Sequence, residues 1–400
     1  MSVPGKADQN TIRRHNASLV LNELRLYAPL SRADLAKRIG LNRSTVSSIV
    51  AQLLEEKLIV ETELRTDKIG RPGLLLELNP QGGGMIGVEM GVDFIHVILM
   101  NFVAHIDWRR RILIGDGEPQ ETYTHIAEEM IRQALQQAEQ MPLPIKGIGL
   151  ALPGMVDAAR GELRYAPNLR WHDVPFGSRW SQRFGLPVIV ENNANAGAVG
   201  EYYFGAARNV AHFLYLGGGT GIGGGMIMDG RIFRGRGGFA GEIGHMTIEA
   251  EGELCSCGRR GCWETLAGPR AVVAKYRSRM EPSVGGGVRL DDDEIGFAQL
   301  VEAAGLGDLA ALAVLQDAAR YLGIGIANLV NILNPELVVL GGVLGQASDL
   351  LGPIIKETVK QNSLFPMRAA LSIVPSLNGA DDCVMGAAAL ALDSILRQPV

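Results

Sequence analysis

Three of the chain's four cysteines, Cys255, Cys257 and Cys262, fall within eight residues, and His245 lies ten positions before the first of them. Cys-x-Cys-x4-Cys plus one histidine supplies the three thiolates and one imidazole of a closed tetrahedral zinc site. Gly258 and Gly261 supply the tight turns that let the sulfurs converge. The competing reading is three unconnected buried thiols, but chance thiols seldom cluster around turn glycines. Only Cys383 lies elsewhere, so a disulfide framework is a weaker reading still. With four protein ligands the expected Zn2+ is structural: it shapes a pocket and does not activate water.

Two carboxylates bracket this cluster. Glu242 stands three residues before His245, and Glu264 two after Cys262. A metal on one ring nitrogen of His245 fixes the tautomer and aims the other N–H outward. Two carboxylates beside an oriented N–H suit a polyhydroxylated ligand, whose hydroxyls each donate to one group and accept from another.

Gly241-Glu-Ile-Gly-His245 with Cys255-Ser-Cys-Gly-Arg-Arg-Gly-Cys-Trp-Glu264 is similar to the signature of the ROK family of sugar kinases and sugar-responsive repressors. The longer run through Gly244-His-Met-Thr-Ile looks most like the xylose-responsive repressors. The resemblance implies an α/β fold: a winged helix-turn-helix followed by a two-lobed, actin-like (ribonuclease H-like) sugar-kinase domain. It also implies sugar contacts at Asn192, Asn193, Glu242, His245 and Glu264, with Gly154 adding its backbone. Xylose is the implied effector; glucose or an N-acetyl sugar is the alternative aldose.

The elements that must position these residues can be read in order. Residues 9–27 carry a helical apolar stripe of Ile12, Leu19, Val20, Leu24 and Leu26. Ser31-x-x-Asp34 is a capping box opening a second helix at Arg32, and Gly40-Leu41 forms a turn. Asn42 is an N-cap for a third helix reaching about Lys57. Two short helices around a glycine turn make a helix-turn-helix. The third helix turns Val46, Ile49, Val50, Leu53 and Leu54 inward and presents Arg43, Ser44, Thr45, Ser47 and Ser48, short donors and a guanidinium suited to base edges. The competing reading is a solvated helix end. Strands over 58–64 and 74–78 would then flank a basic wing with Arg71 in Gly-Arg-Pro, suited to phosphate or the minor groove. Arg32, Asn42 and Arg71 complete the expected DNA-contacting set. Residues 79–84 read as a linker.

Strands over 85–92 and 95–101, a helix over 120–140 and a buried strand over 147–152 ending at Pro153-Gly154 open the α/β part. The strand 188–190 leads into Glu191-Asn-Asn-Ala-Asn195, and a second glycine run spans 217–225. Helices at about 308–331, 348–361 and 380–397 and a strand over 371–374 close the chain, while 281–293 reads as an exposed loop. Trp171 and Cys383 read as packing residues, with a sugar-stacking role the alternative for Trp171. The expected units are 1–80, then 81–190 completed by 380–397, then 191–379.

Two departures from the family's kinases bear on activity. Their first phosphate loop is Asp-x-Gly-x-Thr, where this chain has Glu89-Met-Gly91-Val-Asp93. A carboxylate at Asp93 repels phosphate. Their general base is the Asp of Asn-Asp-Ala-Asn, where this chain has Asn193. An amide accepts no proton at neutral pH, so the resemblance implies binding without turnover and no enzyme. An ATP-dependent sugar kinase with an appended DNA-binding head is the alternative. A zinc hydrolase fails because no coordination position stays open.

Composition sets the bounds. Apolar residues at 47% and charged residues at 20% describe an ordinary folded chain. No run of 18 apolar residues and no apolar leader gives the expectation of no membrane contact and a cytoplasmic location. Residues 1–80 hold 12 Lys/Arg against 9 Asp/Glu while the whole chain is at −5, so a mildly basic head joins an acidic body. Operator DNA is the expected partner of that head. The protein is expected to act as a homodimer, which could pair further into a tetramer, because one helix-turn-helix buries little surface.

Overall fold

The computed structural model describes residues 9–62, 74–115, 117–141, 143–280 and 293–397. The first helix, α1 (Gln9–Tyr27), buries Ala17, Val20, Leu21 and Leu24. Ile12, expected on that face, is exposed instead. The short strand β1 (Leu30–Ser31) leads into α2 (Arg32–Ile39). Ser31 and Asp34 form the full capping box, and Gly40 ends α2 in the left-handed conformation at φ 77°. The Asn42 side chain accepts from Thr45 N at 2.7 Å and starts α3 (Arg43–Glu55), which ends two residues before the expected point. Strands β2 (Ile59–Thr62) and β3 (Leu75–Leu78) pair antiparallel, and β1 adds to the far side of β3. This is a winged helix-turn-helix. The wing tip with Arg71 lies outside the described residues.

The residues read as a linker form a tight packed turn. Gly82 and Gly83 are buried. A side chain on Gly82 would meet the Lys57 carbonyl, and one on Gly83 would meet Lys146 and Phe102. Glycine serves close approach here, not flexibility. The head and the body share one apolar core, which runs from α1 into the C-terminal helix.

The body holds two sheets of the same topology. The first is built from β4 (Gly84–Met90), β5 (Phe94–Asn101), β6 (Ile106–Leu113), β7 (Ile145–Leu152) and β11 (Val188–Asn192), in the order β11-β7-β4-β5-β6. Helix α4 (Gln120–Gln140) packs against β4 and β5. A small antiparallel sheet of β8 (Met155–Asp157), β9 (Glu162–Ala166) and β10 (Trp171–Val174) follows β7, and α5 (Phe176–Phe184) precedes β11. Trp171 is buried edge-on against Tyr123, so packing is its role.

After α6 (Asn193–Phe204) the pattern repeats. Strands β12 (Phe213–Gly218), β13 (Ile222–Met228) and β14 (Arg231–Ile232) form a meander. Helices α7 (Trp263–Ala267), α8 (Pro269–Met280), α9 (Asp293–Gly305) and α10 (Leu309–Leu333) follow. Strand β15 (Leu337–Gly341) pairs parallel to β12. Then come α11 (Gly342–Gln346), α12 (Ser348–Asn362) and α13 (Met367–Ala370), and β16 (Ser372–Pro375) pairs parallel to β15. The order β14-β13-β12-β15-β16 matches β6-β5-β4-β7-β11 strand for strand. Helix α10 is long and apolar enough to span a membrane, but Val314, Leu322 and Ile326 bury it in the second core.

The chain closes with α14 (Asp382–Arg397). It lies on the first sheet against β4 and β7, while α6 lies on the second against β12 and β13. The two helices pack face to face between the sheets. A side chain on Gly386 would strike the Ala196 carbonyl, and one on Gly200 would strike that of Asp382, so this seam is backbone against backbone.

Candidate functional site

A cavity of about 500 Å³ opens between the two sheets. Its walls bring together Gly154, Asn192, Asn193, Glu242, His245 and Glu264, the six residues expected to meet sugar. They reach it from four places: the end of β7, the β11–α6 junction, the turn at Glu242–His245 and the start of α7. Gly154, at φ 103°, follows β7 and sits hard against Tyr165 and Ala166, which only glycine permits. Asn192 is the N-cap of α6: its Oδ1 accepts from Ala194 N at 2.8 Å, and its Nδ2 donates to the Gly154 carbonyl at 2.9 Å. The side chain therefore first holds the loop together, an assignment the sequence alone did not separate from sugar contact. Asn193 opens α6 and accepts from Ala194 N at 2.9 Å.

Glu242 is open to the cavity yet walled by the cleft. That partial desolvation holds its carboxyl above the usual range; His245 pulls it down, and Glu264 pushes it up. Glu264 faces two ways. Its Oε1 lies 3.0 Å from Cys255 Sγ and 3.3 Å from His245 Nδ1, while Gly221 leaves room for its Oε2. Several glycines of the second run thus serve packing. Gly221 clears Glu264, Gly224 clears Ile243, and Gly225 lies against the Ala194 carbonyl of α6.

The cysteine loop closes as its spacing requires. Gly258 at φ 83° and Gly261 at φ 66° make the turns. The donor atoms of His245, Cys255, Cys257 and Cys262 all lie within 4.8 Å of one another. Zinc with Zn–S of about 2.3 Å and Zn–N of about 2.0 Å needs its ligand atoms about 3.5–3.8 Å apart. Cys255 Sγ lies 3.5 Å from His245 Nδ1, and Cys257 Sγ lies 3.6 Å from Cys262 Sγ. The donor set therefore fits the ion, whereas a disulfide needs about 2.05 Å. Burial would raise Cys257, but hydrogen bonds from Arg259 and the neighbouring thiols outweigh it and bring the thiol down to about 6. Burial pushes Cys255 and Cys262 up, so a bound metal would itself have to displace those two protons.

Sequence reasoning missed the buried carboxylate of Glu191. Its Oε2 takes a two-pronged contact from Arg234 at 2.9 and 2.6 Å, and its Oε1 accepts from Asn195 Nδ2 and Asn192 N at 3.0 Å each. It anchors the start of α6, and the pairing spans 43 residues, beyond any local signal. Asp382 was missed as well. It is buried at the cavity floor, where Tyr215 Oη and Gly342 N donate to it at 2.5 and 2.9 Å. Burial pushes the adjacent Cys383 thiol up, which leaves it without nucleophilic character. Glu89 and Asp93 both line the cavity beside the glycine run.

At the far end, Arg43, Ser44, Ser47 and Ser48 are exposed on α3 and Thr45 is half-buried. Ser44 donates to the Asn42 cap at 2.8 Å. Arg32, expected at DNA, is turned to Glu61 of β2 at 2.5 Å.

The pattern of the ROK family fits residues 85–394, and that of the MarR family fits residues 14–68. A xylose repressor of Caldicellulosiruptor bescii is 35% identical over 396 residues, covering 97% of this chain and 98% of its own. Among solved structures, a ROK family transcriptional regulator, homolog of the E. coli MLC protein, superposes with a TM-score of 0.82 at 29% identity and covers 97% of both chains. A ROK family glucokinase from Streptomyces griseus, in complex with glucose and AMPPNP, superposes at 0.68 with 30% identity. It covers 78% of this chain and 99% of its own.

Proposed function

The chain belongs to the ROK family, and from that premise we propose that it is a sugar-responsive transcriptional repressor whose effector is xylose. One observation carries this reading: a single chain joins an exposed recognition helix to a polyol cleft whose position 193 holds an amide. Arg43, Ser44, Thr45, Ser47 and Ser48, with the wing's Arg71, meet operator DNA. Arg32, beside Glu61, and Asn42, at the cap of α3, complete that set. Glu242, His245 and Glu264 meet sugar hydroxyls, Asn193 adds an amide, and Asn192 with Gly154 sets the loop. The xylose repressor relative supports the sugar.

Zn2+ held by His245, Cys255, Cys257 and Cys262 supplies rigidity and leaves no open position for water. Asn193 takes no proton, and Glu89 and Asp93 put negative charge where phosphate would sit, so the sugar is bound and not phosphorylated. We assign 1–80 to the DNA-binding unit, 81–190 with 380–397 to the first lobe, and 191–379 to the second. The protein acts in the cytoplasm as a homodimer. Sugar favours the DNA-free form, and by linkage operator weakens sugar binding by the same factor.

The test is a fluorescent operator duplex titrated with D-xylose, D-glucose and N-acetylglucosamine, with ATP consumption followed in parallel. Release by xylose without ATP consumption supports the proposal. Sugar-dependent ATP hydrolysis replaces it with the kinase reading, and release by another aldose alone replaces the effector.

A further inference from the structure

Head and body meet along an apolar seam that contains a polar node. Leu21 and Leu24 of α1 share a core with Val199 and Tyr203 of α6 and with Leu392 and Leu396 of α14. Apolar burial has no preferred direction, so this seam alone tolerates sliding. The node is directional. Arg25 donates from Nη1 to the Tyr203 carbonyl at 3.3 Å, and its guanidinium stands 4.3 Å from the centre of the Tyr203 ring. Arg208, beyond the end of α6, donates back to the Arg25 carbonyl at 3.3 Å. The Tyr203 hydroxyl bonds Asp393 of α14, which holds Arg397 at 2.6 Å. A planar guanidinium that must both stack and donate accepts one pose.

The helix that ends at this node begins in the cleft. Asn192 caps α6 and Asn193 is its first residue, while Tyr203 lies in its last turn. Carbonyls there have no partner within the helix, and a cation complements the negative end of the dipole. Because α6 rides on the second sheet and α14 on the first, a change in the angle between the sheets moves α6 against α14. At Gly200 and Gly386 their backbones meet directly, with no side chain between them to absorb it.

We propose that Arg25 is the coupling residue between cleft and DNA-binding head: it ties α1 to the far end of the helix whose near end borders the effector. This rests on the sugar-responsive reading above, and Arg25 itself touches neither ligand. The coupling is measured as the ratio of D-xylose dissociation constants with and without saturating operator, the duplex being one selected by the wild-type protein from a random pool. In Arg25→Met the ratio falls from tenfold or more to below twofold, with xylose and operator affinities measured separately staying within threefold of wild type. Tyr203→Leu, which leaves the DNA-facing surface intact, does the same and carries the test if Arg25→Met loses operator binding. Ratios within twofold of wild type in Arg25→Met and Tyr203→Leu overturn the proposal. A second measurement needs no sugar. Operator binding slows amide hydrogen exchange across 193–204 in wild type and not in Arg25→Met; equal slowing in both overturns the proposal. If D-xylose fails to release the wild-type protein, the effector reading falls, and the exchange measurement still decides the role of Arg25.

Discussion

Glu264 holds one oxygen toward the cysteine loop and the other past Gly221, so its geometry depends on both sides. Glu264→Gln keeps the shape and removes the charge. Xylose affinity is expected to fall at least tenfold by calorimetry while operator affinity stays within twofold; unchanged xylose affinity would remove Glu264 from the site. A second prediction concerns His96 on β5. Burial holds it at about 4, with Arg111 and Arg109 pushing the same way and Asp381, at 3.7 Å, opposing them. The ordinary histidine value is about 6.5, so between these values the unfolded chain binds more protons than the folded one. Stability therefore falls as pH drops through that window, by an amount on the order of 3 kcal/mol at its acid end. Chemical denaturation at pH 7 and pH 4.5 should show a smaller acid loss in His96→Gln than in wild type. Equal losses would mean that His96 is not held neutral.

The elements legible in the sequence are those whose ends carry a cap or a steady apolar period. Ser31 and Asn42 sit at the true starts of α2 and α3, and α4 and α10 fall within a residue or two of their expected bounds. The seam between α6 and α14 was hidden because it is made of glycine and alanine, which give no apolar stripe. The turn at Gly82-Gly83 was misread for a related reason: composition cannot distinguish glycine used for freedom from glycine used for close contact. The three-stranded sheet of β8–β10 and the strand β6 went unread as well. Three arginines in a row, Arg109 to Arg111, mask the alternation of β6. The cysteine loop was legible because four soft donors and two turn glycines act within one short segment. It also yields a prediction for this element. The purified protein should carry one zinc per chain, and Cys257→Ser or a strong chelator should remove it. With the metal gone, His245 and Glu264 lose their shared support, and xylose affinity should fall about 10–100-fold, as when a ligand's support is removed. A metal-free protein with full xylose affinity would count against a shaping role for zinc.

At the scale of the whole molecule, two sheets of matching strand order make the body and the head makes a single helix-turn-helix module packed against it. One such module buries only about 600–1,000 Å² on DNA, too little for tight and specific binding. The charge balance points the same way: the head exceeds neutrality by three while the chain as a whole stands at −5, so the body does not add general attraction to the duplex. Tight binding is then expected to use two heads, related by the two-fold axis usual for homo-oligomers. The operator should be an inverted repeat whose half-sites are centred about 10–10.5 base pairs apart, or a multiple of that. Titration should give two chains per duplex, and scrambling one half-site should weaken binding at least a hundredfold. A single chain per duplex at full affinity would show that the head reads DNA alone, and sugar could then act only by moving α3 within one copy rather than by changing the spacing between two.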